Sequence, residues 1–177
     1  MLYPDREWRE IAKENISRKA IYLQFVVPLL SLIAIATIAG TWFYASRELY
    51  SAGYVIYWMT IVWTSLSAGL YFSAFLITEI MAHQTGSRDH NRSFALMAYS
   101  SGASYLVIFV VALFPFFYEL LVLAFYSCYL YWRGIPYLIG IGGHKRLTYG
   151  LLSFIVAVLI YSLMFFFFGN VLRTILL

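Results

Sequence analysis

The chain has 177 residues, of which 63% are hydrophobic and only 11% charged, with a formal net charge of +4. Soluble domains carry about 25% charged residues, so this chain has too few polar groups to cover a water-facing surface, and a soluble globular protein is excluded. The expected fold class is an all-α integral membrane protein forming a single membrane domain over 1–177, since no polar linker divides it.

The opening stretch "MLYPDREWREIAKENISRKA" does not read as a signal peptide, which would pair a short basic start with a short apolar core and a small-residue cleavage site. Residues 1–19 predict an amphipathic interfacial helix instead. Tyr3, Trp8, Ile11, Ala12 and Ile16 share one broad face, and Arg6, Arg9, Glu10, Lys13 and Glu14 lie mostly opposite. Such a helix lies in the membrane interface with its aromatic face down, and Pro4 sits near its first turn, where a missing N–H costs little.

A spanning helix takes roughly 20 mostly apolar residues. Residues 21–43 supply the first and 54–80 a second, long enough to tilt. From Ser93 to Trp132 Glu119 is the single charge, over a run too long for one span. Pro115 in "LFPFF" is the expected break, because proline removes a backbone donor and restricts its predecessor. Spans of about 94–114 and 116–133 follow, and 147–168 is the fifth. At the end of the fourth, "YWRGIPYLIGIGGHKR" reads as an exit. Trp132 and Arg133 anchor the interface, Gly134 and Pro136 end or bend the helix, and a short turn leads to His144, Lys145 and Arg146.

With five spans, ten of the twelve Lys and Arg residues fall on the side of the N-terminus, and only Arg47 and Arg173 on the other. Positive charge marks the cytoplasmic side, so the N-terminus is expected in the cytoplasm and the C-terminus outside. The single Cys128 lies in an apolar segment and reads as a small buried hydrophobe, with neither a disulfide framework nor a cysteine-based metal motif.

Several short motifs resemble the bacterial branch of the Yip family, membrane proteins named for binding Ypt/Rab GTPases in eukaryotes. They are Pro4, Trp8 and Ile11 on the first helix, Pro28-Leu29 in the first span with Gly40 at its end, and Tyr126, Tyr129, Leu130, Gly134 and Pro136 in "YSCYLYWRGIP". "LMAYSSGAS" is similar to the family's third-span entry, but Ala103 stands where the pattern has a proline, which removes the ground for a kink there. The resemblance implies a bacterial inner-membrane location, five spans, an inside N-terminus, an outside C-terminus and no enzyme activity. The long acidic N-terminal region of the eukaryotic members is absent, and the Rab-binding role does not transfer.

The residues with chemistry are few. Glu79, His83, Asp89, His90 and His144 fall on one side of the membrane, and Glu79 and His83 share a helical face, so they are the metal-ligand candidates. Their spacing matches no known motif, solvated loop residues are the preferred reading, and no cofactor is expected. Tyr57, Thr60, Thr64, Ser67, Tyr71 and Thr78 form a hydroxyl stripe along the second span. It predicts helix packing, with Ser100, Ser101, Gly102, Ala103 and Ser104 of the third span as its docking surface. The alternative is a solute path along that stripe with Glu119 or Glu79, which would make the chain a small transporter or channel. Gly150, Ser153, Ala157 and Tyr161 offer the fifth span a similar seam.

No phosphate loop, nucleophile motif or paired carboxylates support an enzyme, and nucleic acid is not an expected partner. The basic side suits anionic lipid headgroups. The leading expectation is a non-enzymatic, membrane-organising or partner-binding protein, docking on a membrane-protein partner or on its own copies.

Overall fold

A computed structural model describes residues 4–14, 17–44 and 52–176, and among these the regular structure is entirely helical. Its elements are α1 (Pro4–Lys13), α2 (Arg18–Ile21), a π turn (Tyr22–Val26), α3 (Val27–Tyr44), α4 (Ala52–Thr85), α5 (His90–Leu113), a 3-10 segment (Pro115–Phe125), α6 (Tyr126–Leu138) and α7 (Gly143–Leu176). Tyr3 and Ile16 lie outside the described residues.

Among the described residues four helices are long and apolar enough to cross a membrane: Arg18–Phe43, Val55–His83, His90–Leu113 and Lys145–Thr174. They cover the expected first, second, third and fifth spans. The expected fourth takes another form. The third span does end just before Pro115, but Pro115 itself opens an 11-residue 3-10 helix that runs to Phe125 before α6 begins. Phe117 leaves helical geometry inside that segment, and none of its side chains is buried.

Three boundaries differ from expectation, each for a local reason. The N-terminal helix stops at Lys13 rather than near residue 19, because Ser17 caps a new helix by accepting the Ala20 N–H at 3.3 Å. That new helix runs unbroken into the first span. Pro28 cannot donate to the turn before it, and the ladder there loosens into a π turn in which the Val27 N–H reaches back to the Tyr22 carbonyl. At the same end of the bundle, Gly134 and Pro136 do not stop α6. It continues to Leu138 and closes at Gly140, whose positive φ of 79° lets its N–H return to the Ile135 carbonyl at 3.2 Å.

Packing is dominated by the antiparallel pair α4 and α7, with α5 set against α3, α4, α6 and the 3-10 segment. The α4–α7 seam runs from Tyr57, whose hydroxyl donates to the Gly169 carbonyl at 3.0 Å, through Ser65 beside Met164, to Gly69 under the Tyr161 ring. In the hydroxyl stripe of the second span, Tyr57 bonds to α7, whereas Ser67 accepts from Tyr22 of the π turn and Tyr71 packs between Tyr22 and Phe94 of α5. In the serine cluster of the third span, Ser104 donates to Ser127 Oγ of α6 at 2.8 Å, while Gly102 packs against Phe25 of the π turn. α5 passes straight through Ala103.

Candidate functional site

Of the family-motif residues, those of α1 and α6 lie together where the two helices pack, whereas Pro28 lies in α3 and Gly40 packs against the Ala112 backbone near the end of α5. Trp8 has no exposed surface. Its ring sits on the backbone of Gly134, where an added Cβ would be 2.9 Å from the indole, with Leu96 closing the same space. Only glycine lets the two helices approach this closely. The aromatic face of the N-terminal helix is thus covered by protein rather than turned to the interface, as the sequence expectation had it. Arg6, Glu7, Arg9, Glu10 and Lys13 face outward.

Charge complements the apolar contact. The Asp5 carboxylate pairs with the Arg133 guanidinium and also accepts from the Tyr137 hydroxyl at 3.2 Å. Arg9 stands over the Tyr137 ring at 5.8 Å, and Arg133 over that of Tyr129 at 5.9 Å. Tyr126 and Tyr129 stack at 5.6 Å on the outer side of α6. The arginine that interrupts the apolar run therefore faces α1 and pairs with its first turn.

Pro136 explains a second basic residue. A proline in a helix leaves the carbonyl four residues back without its donor, here that of Trp132. Arg146 supplies the missing bond, donating to the Trp132 carbonyl from Nε at 3.2 Å and also from Nη2, while its guanidinium lies 4.9 Å over the Trp132 ring. Sequence reading treated Arg146 only as topological charge. The signal that would have found it was the orphaned carbonyl at the position four before Pro136.

The remaining candidates disperse. Glu79 pairs with Arg88 at 3.2 Å, His83 is exposed, His90 lies flat on Phe75 at 5.8 Å, and Asp89 caps α5 by accepting the N–H groups of Asn91 and Arg92 at 3.1 Å. The His144 side chain is outside the described residues. Among the described residues no three His, Cys, Asp or Glu side chains come together as a metal-sized group.

Along the proposed solute path, hydroxyls are held locally. Thr60 donates to the Ile56 carbonyl at 2.7 Å, Thr64 to that of Thr60 at 2.6 Å and Thr78 to that of Ala74 at 2.8 Å. Ser67 accepts from Tyr22 at 3.1 Å, and Tyr71 packs between Tyr22 and Phe94 at about 5 Å from each. Glu119 is exposed on the 3-10 segment, which packs on α5 and α6, whereas the stripe belongs to α4, packed mainly on α7.

An all-helical bundle with four membrane-length helices and an N-terminal helix folded back on its charged end is a multi-pass membrane protein. The chain belongs to the Yip family: the family model of the Yip1 domain matches residues 1–170. This is a family of membrane proteins not known as enzymes. Neither a curated protein nor a solved structure matches the chain.

Proposed function

We propose that this protein is a non-enzymatic organiser of its membrane, binding a membrane-protein partner or further copies of itself. It crosses a bacterial inner membrane five times, with the N-terminus in the cytoplasm and the C-terminus outside. The observation that carries the reading is the sealed contact of Trp8 with Gly134, which fixes α1 as a charged surface at the end of the bundle. A surface held this firmly suits docking, and its Lys and Arg residues suit contact with anionic headgroups.

Length supports the additional span. Eleven 3-10 residues at about 2.0 Å and thirteen α-helical ones at about 1.5 Å reach roughly 40 Å, against about 30 Å of hydrocarbon. Glu119 and Arg133 lie toward its two ends, where each meets water or headgroups.

The test is purified protein in proteoliposomes, assayed for proton and cation flux, together with in-cell crosslinking at surface cysteines placed on α1. No flux and a discrete crosslinked partner or dimer are expected. Flux abolished by Glu119→Gln would replace this reading with a channel or transporter. A reporter active only outside the cytoplasm, fused to the C-terminus, should be active; silence would overturn the topology.

A further inference from the structure

Beside the 3-10 segment lies a cavity of about 280 Å³, walled by α5, the segment itself, α6 and α7. Its floor is made of small residues, Ser100, Ser101 and Ser104 on α5, Ser127 on α6 and Ala157 on α7. The hydroxyl groups around it are already bonded. Ser104 donates to Ser127, Ser100 to the Leu96 carbonyl, and Tyr131 shares a hydrogen bond of 2.6 Å with Ser153. Tyr161 is joined to Tyr105 at 3.2 Å. Most hydroxyls of the floor are therefore engaged with one another or with backbone, and a polar solute would lose hydration there with few partners to replace it.

Leu121, Phe125 and Val158 form the rim and are 46%, 71% and 48% exposed. The opening exists because the 3-10 segment buries none of its side chains and α6 meets α7 only lightly. It is continuous with the lipid-facing surface of a multi-pass protein. A neighbouring helix is a poor fit, because membrane helices associate through small residues that let backbones approach. Here the rim is bulky and the small residues are recessed behind it. What fits is slender, flexible and apolar. A dry cavity of about 150 Å³ admits benzene, so this one admits roughly a dozen carbons in a chain.

We propose that the cavity binds one acyl chain of a bilayer phospholipid, held between the 3-10 segment and α7. This goes beyond the organising role and rests only on the part of it that places residues 115–138 in the membrane. The full chain is reconstituted in phosphatidylethanolamine and phosphatidylglycerol vesicles containing a phospholipid with a diazirine in one acyl chain. It is irradiated, and the labelled residues are mapped by mass spectrometry. Label should concentrate on Leu121, Phe125 and Val158, severalfold above the equally lipid-facing Val122 and Phe166. Val158→Trp, which narrows the mouth, should remove that excess while labelling of Phe166 persists as evidence of an intact fold. Even labelling of all exposed side chains would mean boundary lipid only and would overturn the site, as would an excess that survives Val158→Trp or a chain-to-chain crosslink at the rim. Absence of label throughout 116–125 would sink the five-span topology and the site together, whereas even labelling sinks the site alone.

Discussion

Trp8 carries the attachment of α1 because it is the residue of that helix with no exposed surface, and truncating a buried tryptophan costs about 3–5 kcal/mol. Trp8→Ala should free α1, and trypsin should then cut after Lys13 in the folded protein faster by about an order of magnitude. An unchanged cleavage rate would show that something else holds the helix. Trp8→Phe should keep α1 docked, since the indole N–H finds no acceptor among the described residues. Asp5→Asn should do far less than Trp8→Ala. Both members of the Asp5–Arg133 pair are more than a third exposed, and such pairs contribute about 0.2–1 kcal/mol. Gly134 is the complement of Trp8, and any larger residue there must displace the indole.

At the level of elements, the long apolar runs and the break at Pro115 were legible from composition and from what proline does to a backbone. Less legible was everything set by a distant partner. Trp8 looked like an interfacial anchor because its helix is amphipathic, and nothing local says that the apolar face meets α6 instead of lipid. The hydroxyl stripe of α4 was visible as a pattern, but its spacing could not say that Tyr57 would meet α7 while Ser67 and Tyr71 meet Tyr22 of the π turn. Pro136 looked like an end or a bend of the helix, because Arg146, which satisfies the carbonyl it strands, comes from the next helix. That pairing gives a specific double-variant prediction. Arg146→Ala should destabilise the protein by about 1–3 kcal/mol through an unsatisfied Trp132 carbonyl. Pro136→Ala restores a backbone donor and should recover most of that loss in the double variant, as measured by thermal unfolding in detergent. Additive losses would remove Arg146 from this role.

For the whole molecule, the α4–α7 seam is the principal joint, and it closes tightly only where small residues allow. The Cβ position of Gly69 is taken by the Tyr161 ring, which also reaches Tyr105 on α5. Gly69→Leu should therefore loosen α7 from two helices at once. Overpacking of this kind typically costs about 1–3 kcal/mol, which unfolding in detergent would register as a lowered midpoint. Gly169→Leu is the matched comparison, because nothing lies within 4 Å of its Cβ position, and it should leave the midpoint nearly unchanged.

The contact between Trp8 and Gly134 also imposes an order in time. The two residues are 126 positions apart, and ribosomes add about 5–20 residues per second. For roughly 6–25 s after Trp8 is made, its partner does not yet exist. Throughout that interval the amphipathic N-terminal helix is a free ligand for whatever apolar surface is nearest, be it lipid, the insertion machinery or a chaperone. The last act of folding at this end is its transfer from that temporary host onto α6, so a nascent chain halted before residue 134 should hold its first helix in a protease-sensitive state that the finished protein has lost.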